Sequence, residues 1–175
     1  MPSDDFTRLV EAHYTSLYRF ALSLAKNSAD AGDLTQETFL IWATRGQTLR
    51  DGGKAKSWLF TTLYREFLRT CRRAERVEAL ENLSPLEADP PAPEETAFAR
   101  SGVAIEAMQE IEELYRVPLT LFYLQEFSYK EISEMLEVPL GTVMSRLARG
   151  KTQLRAALAR KKLGGPANAV PSTTR

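Results

Sequence analysis

The stretch 127–154, FSYKEISEMLEVPLGTVMSRLARGKTQL, restricts the fold more than any other part of the chain. Tyr129, Ile132, Met135 and Leu136 recur at three- and four-residue spacing, which is one face of a short helix. Ser128 is placed to cap its start, and Glu131 follows three residues on to complete a capping box. Pro139 and Gly141 interrupt the pattern, and a second helix begins there. At about 100° per residue, Val143, Leu147, Gly150 and Leu154 fall on one side of it. Thr142, Ser145, Arg146 and Arg149 fall on the other, a stripe of hydrogen-bonding and cationic side chains. An apolar helix, a tight turn and a helix with a basic outer face make the helix-turn-helix pattern, whose second helix enters the DNA major groove. The four polar residues are the expected DNA-facing set. The competing reading is a helical hairpin whose charged face is merely solvated, and the pattern alone leaves it open.

The first 73 residues read as three further helices. A helix from about Asp4 to Lys26 turns Phe6, Leu9, Val10, His13, Leu17, Phe20, Ala21 and Leu24 inward. His13 belongs to that stripe, so it is expected to be a core residue with a satisfied hydrogen bond rather than a ligand. Asn27 and Ser28 can cap a second helix, with Asp30 and Asp33 near its positive end. Its Leu34, Thr38, Ile41 and Trp42 share one face, whereas Asp33, Gln36, Glu37 and Leu40 form a separate stripe. Two acids beside an amide and a leucine suit docking to a basic helical partner, or a solvated face, better than acid–base chemistry, which needs a desolvated carboxylate. A glycine-containing loop, RGQTLRDGGKAKS, follows with Arg45, Arg50, Lys54 and Lys56. A third helix, Trp58 to about Arg73, has Leu59, Leu63, Phe67 and Thr70 on one side and Arg65, Arg69, Arg72 and Arg73 on another.

Net charge is zero, but its distribution is not uniform. Residues 1–73 carry eleven Lys/Arg against eight Asp/Glu, residues 74–103 two against seven, and residues 104–175 ten against eight. Two mildly basic blocks flank an acidic one, which suggests two modest DNA-facing surfaces joined by a segment that avoids DNA. The middle segment contains ADPPAP, which cannot sustain a helix, and is long enough for two domains to move independently. Past Val103, Ala104, Met108, Ile111 and Leu114 form one amphipathic pattern, and Val117, Leu119, Leu121, Phe122 and Leu124 a more apolar helix. Pro118 fits that helix only in its first turn or at a kink. The expected fold is therefore all-α: a helical domain over 1–73, an acidic linker over 74–103, a four-helix domain with the helix-turn-helix over 104–163, and a disordered tail over 164–175.

Cys71 and His13 are the only residues of their kinds, which excludes an internal disulfide and any multi-His or multi-Cys metal site. No catalytic residue, metal or cofactor is expected. No long apolar run or leader-like start is present, so no membrane insertion and a cytoplasmic location are expected.

Four segments in this order carry a family resemblance: DLTQETF (33–39), the basic loop, WLFTTLYREFLRTCRR (58–73) and PLGTVMSRLARG (139–150). Together they resemble the extracytoplasmic-function sigma factors of the sigma-70 family, small bacterial initiation factors that act with RNA polymerase. The resemblance implies that Asp33, Gln36, Glu37 and Leu40 bind core RNA polymerase. It implies that Arg50, Lys54, Lys56, Arg65, Arg69 and Arg72 meet the promoter −10 element, including its single-stranded form, and help open the duplex. Thr142, Ser145, Arg146 and Arg149 would then read the duplex −35 element, and an anti-sigma protein is an expected partner. The alternative is a stand-alone helix-turn-helix regulator that binds as a dimer on repeated half-sites. Two positions depart from the family pattern. Glu66 stands where Asn is usual and projects toward the apolar side, so it needs a partner or a proton. Met144 stands where a basic residue is frequent and lies off the groove-facing stripe, so a lost phosphate contact is expected rather than altered base reading.

Overall fold

A computed structural model describes residues 2–46, 51–80 and 102–163, and these form helices joined by short turns. Helix α1, Pro2–Ala25, ends where Lys26 takes a left-handed φ of 62° and its N–H bonds the Leu22 carbonyl at 2.9 Å. Helix α2, Ser28–Arg45, starts at Asn27, whose side-chain oxygen accepts from the Asp30 N–H at 2.8 Å. The sequence signals for this start hold because an Asn cap satisfies a backbone donor that the first turn would leave unpaired. Thr35 and Thr38 are buried, and each hydroxyl donates to the carbonyl four residues back, at 2.7 and 2.8 Å. Their polarity is thus satisfied inside α2 and the face packs like an apolar one.

A short 3-10 turn, Gly52–Lys54, leads into α3, Ala55–Leu80. This helix outruns both expected ends. Residues 74–80, assigned from sequence to the linker, continue it because AERVEAL contains no proline or glycine and is made largely of good helix formers. The ADPPAP segment and the rest of the expected linker, 81–101, lie outside the described residues, as does the expected tail, 164–175. Leu17, Phe20, Ala21 and Leu24 of α1 pack with Ala31 and Phe39 of α2 and with Leu59, Phe60, Leu63 and Phe67 of α3. Phe39 is held by Phe6 edge-on and by Tyr14 stacked, each at 6.4 Å between ring centroids. Thr70, expected on the packed side, is exposed, and its hydroxyl bonds the Glu66 carbonyl at 3.0 Å.

The C-terminal helices are α4, Gly102–Gln109; α5, Glu113–Leu119; α6, Tyr129–Leu136; and α7, Leu140–Leu163. Ala104, Leu114 and Leu124 were expected to face inward but are exposed, and Ala107 and Ile111 make the buried contacts of the α4 region. Pro118 lies inside α5, not in its first turn. It has no N–H to offer the preceding turn, and the chain widens directly after it into a π-helical turn, Thr120–Leu124, closed by Gln125 N–H to Thr120 O at 3.2 Å. The capping box at α6 is complete: Ser128 Oγ accepts from the Glu131 N–H at 3.2 Å, and Glu131 Oε2 accepts from the Ser128 N–H at 2.8 Å. Glu137 ends α6 in a left-handed conformation, φ 54°. Gly150 lets α7 approach α5 closely, since a Cβ there would lie 2.7 Å from Leu119 Cδ1 and 2.9 Å from its Cγ.

The two helical units pack against each other. Phe127, just before α6, is buried with its ring 5.2 Å from that of Phe60 on α3. Gln125 is buried two residues earlier, its side chain donating to the Ser16 carbonyl of α1 at 3.4 Å, while Glu126 between them is exposed at φ 60°. The independent motion expected of the two units therefore gives way, in this structure, to a shared seam of α1 and α3 against the 125–127 turn and α6.

Gly32 and Gly150 separate propensity from packing. Gly32→Ala, with open space around the added methyl, should stabilise by about 0.5–1 kcal/mol. Gly150→Ala should instead destabilise, because overpacking against buried Leu119 costs about 1–3 kcal/mol. Urea denaturation of both variants checks the opposite signs.

Candidate nucleic-acid interface

Helix α2 divides its polar and apolar residues cleanly. Ala31, Thr35, Thr38 and Phe39 are buried, whereas Asp33, Gln36, Glu37 and Leu40 are all exposed on one stripe. Leu40 is 63% exposed, an apolar side chain standing among carboxylates. The Asn27 cap and the packed threonines fix the helix beneath, so the stripe is a rigid, mildly acidic surface with an apolar centre. Such a surface suits a helical partner carrying cations around an apolar contact.

The cations expected at the −10 element do not form one free surface. Arg50 lies outside the described residues. Lys54 is exposed at the end of the 3-10 turn, which Asp51 steadies by accepting from the Gly53 N–H at 3.0 Å. Lys56 is in the first turn of α3, not in a loop, and points into the seam. Its Nζ donates to the Gln125 carbonyl at 2.6 Å and lies 4.8 Å from the centroid of the Phe127 ring. Arg65 pairs with Glu137 at the end of α6 at 3.2 Å. Arg69 pairs with Glu66 at 2.6 Å, which supplies the partner that the largely covered Glu66 carboxylate required. Arg72 is exposed, and no ion pair involves it among the described residues. The arginine stripe is real as a helix face, but tertiary packing and Glu66 engage two of its members.

Helix α7 carries the expected −35 set. Val143 and Leu147 are buried and Gly150 faces α5, which fixes the helix's rotation. Ser145 and Arg149 are consequently exposed, whereas Thr142 and Arg146 are half-buried at the edge of the same face. The Ser145 hydroxyl donates to the Thr142 carbonyl at 3.1 Å, leaving its oxygen lone pairs for an incoming donor. Burial, reinforced by the Glu113 carboxylate, raises the Tyr64 pKa, and the Arg146 charge opposes it. Arg146 thus stands within electrostatic reach of α3, near the seam. Burial also raises the Cys71 pKa, which keeps the thiol protonated and unreactive.

His13 is half-buried on α1 as expected, but no described residue hydrogen-bonds its ring. Burial, with a smaller contribution from the Lys56 charge, lowers its pKa below 6.5. Sequence reasoning missed Gln125 and Phe127 at the seam, and Arg116. Arg116 is 1% exposed, with Nη1 donating to the Ile111 carbonyl at 2.8 Å and Nε and Nη2 without a hydrogen-bond partner among the described residues. Its signal in the sequence was absent, since a lone arginine on a helix is ordinarily solvent-facing. For Phe127 a weak signal existed: an apolar residue directly before a capping box commonly packs against its neighbours.

Matches to known protein families cover both units. Residues 9–77 match the family model "Sigma-70 region 2", and residues 102–154 match "Sigma-70, region 4". The chain is 38% identical over 165 residues to the ECF RNA polymerase sigma factor SigE of Mycolicibacterium smegmatis. That match covers 91% of this chain and 63% of the relative, so the chain spans under two thirds of that protein's length. It is 30% identical over 159 residues to the ECF RNA polymerase sigma factor EcfG of Rhodopseudomonas palustris, covering 90% and 88% of the two chains. The fold is similar to that of the sigma factor RpoE of Bartonella quintana, solved with the anti-sigma factor NepR. There the TM-score is 0.75 at 24% identity, over 89% of this chain and 97% of that one.

Two measurements probe the geometry. The single histidine gives one set of imidazole resonances, so NMR titration should place the His13 pKa below 6.5, and Lys56→Met should raise it part of the way back. With the folded pKa depressed, the unfolded chain binds the proton more tightly. Stability therefore falls as pH drops below 6.5 toward the folded pKa, and His13→Gln should remove that part of the slope. At the seam, Phe127→Ala should cost about 3–5 kcal/mol. The exposed Arg65–Glu137 pair should show a coupling no larger than about 1 kcal/mol in a double-mutant cycle.

Proposed function

The chain belongs to the extracytoplasmic-function sigma factors, the initiation factors of RNA polymerase, and from that premise we propose how its surfaces divide the work. The α2 stripe of Asp33, Gln36, Glu37 and Leu40 docks core RNA polymerase. Helix α7 enters the major groove of the −35 element, with Ser145 and Arg149 at base edges and Thr142 and Arg146 at its flank. Lys54, Lys56, Arg65, Arg69 and Arg72, with Arg50, attract the −10 phosphates and hold the strand once it is unpaired. The observation that carries the reading is the fixed rotation of α7: its apolar row is locked into the core, so its polar row can only face outward.

The work is binding, not covalent chemistry. A good bidentate contact from an arginine to guanine gives about 1–3 kcal/mol of discrimination. Extruding a base costs a few kcal/mol, which a cationic surface and a pocket offset. Because Lys56 and Arg65 are engaged across the seam, their use on DNA requires the seam to part, and docking of the two units on separate parts of polymerase provides the force. An anti-sigma protein, of the kind named with the Bartonella relative, is the proposed inhibitor. A stand-alone dimeric regulator is not favoured, since both units match sigma-70 regions. Among the described residues no helix is long and apolar enough to cross a membrane.

Reversing both α2 carboxylates, Asp33→Lys with Glu37→Lys, should weaken core-polymerase binding at least tenfold while circular dichroism stays unchanged; unaltered affinity would sink the docking assignment. Arg149→Ala should reduce −35-dependent transcription by about 5- to 100-fold with core binding retained, and equal loss of both would point to misfolding.

A further inference from the structure

Helix α7 presents three parallel rows outward at four-residue spacing. One is Gly141, Ser145 and Arg149, and beside it run Thr142 and Arg146, both half-buried. On the opposite flank lies an apolar row: Leu140, 48% exposed, Met144, 52% exposed, and Ala148, also exposed. Leu140 is the first residue of the helix, the end from which recognition helices touch base edges. Val143 and Leu147 belong to the buried core cluster, whereas Leu140 and Met144 are not among the residues packed against it.

Resting on the −35 reading above, we propose that Leu140, Met144 and Ala148 contact thymine 5-methyl groups, making this row a specificity determinant beside the polar one. The thymine methyl is the one apolar group that base edges present in the major groove. Arg149 on the neighbouring row and Arg146 on the far flank favour the phosphates bordering the groove, and the apolar row is continuous with the proposed base-reading row, so a helix seated by one brings the other against the same duplex. Residues four apart are separated by about 6 Å along the helix, whereas base pairs are stacked about 3.4 Å apart. Successive members of the row therefore meet base pairs about two steps apart, next to those read by Ser145 and Arg149. Met144, where a basic residue would reach a phosphate, reads a base methyl instead.

The test uses full-length protein assembled with core RNA polymerase and a promoter library randomised across the −35 element. Selection should recover at least one fixed A·T pair adjoining the base pairs whose preference is lost in Arg149→Ala. Replacing its thymine by deoxyuridine, which lacks only the methyl, should lower binding about three- to fivefold per contacted methyl. Met144→Ala and Leu140→Ala should shrink that thymine-to-uracil ratio toward one with core-polymerase affinity unchanged, and Met144→Leu should preserve it. A selected element whose thymines all tolerate deoxyuridine overturns the inference while leaving the −35 reading intact. Loss of polymerase or inhibitor affinity in Met144→Ala, with the ratio unmoved, assigns the row to a protein partner and also overturns it. Failure to select any sequence overturns the −35 reading itself.

Discussion

Phe127 is the side chain on which the relation between the two helical units depends. It leaves the C-terminal unit just before the α6 cap and sits against Phe60, itself fully buried between α1 and α3. Truncating a buried phenylalanine typically costs about 3–5 kcal/mol, whereas an exposed ion pair such as Arg65–Glu137 contributes about 0–1 kcal/mol. Apolar burial therefore decides whether the seam is closed, and the polar contacts set its register. Lys56 lies between these extremes, with its charge on both a carbonyl and an aromatic face.

The C-terminal unit accommodates two local misfits near the same place. Pro118 removes a helical donor from the interior of α5, and the chain answers with a wider turn that delivers Gln125 and Phe127 to the seam. Arg116, two residues before it, is buried with Nε and Nη2 unpaired among the described residues; burial lowers its pKa, and the Glu113 carboxylate opposes that. A buried, incompletely paired cation is destabilising relative to an apolar side chain of the same volume. The close α5–α7 contact at Gly150 holds the unit together despite this, and α4 is fastened to α7 by Glu106 and Glu110 against Arg160 and Lys161 at 2.9–3.2 Å.

Function is divided by the same rule that shapes the core. In α2 and α7 the buried rows are so well specified that the remaining rows can be nothing but surface. That is why an acidic stripe with an exposed leucine and a mixed polar and apolar outer face occur on helices whose inner faces are almost free of polar groups beyond the self-satisfied Thr35 and Thr38.

By itself the sequence determined most of the helix faces, though not the exposure of Thr70, Ala104, Leu114 and Leu124, and it determined the caps at Asn27 and Ser128, the helix-turn-helix and the exposed stripe on α2. These follow from spacing within about one or two turns, where periodicity and capping act. Only the tertiary structure decided which cations are free. Lys56 meets a carbonyl 69 residues away and Arg65 a carboxylate 72 residues away, and no local pattern encodes a pairing across such a distance. Likewise the burial of Arg116 and Phe127, and the exposure of Leu140 and Met144, depend on which neighbouring helix arrives to cover them. A periodic pattern fixes which residues share a face, but packing alone decides which faces are covered.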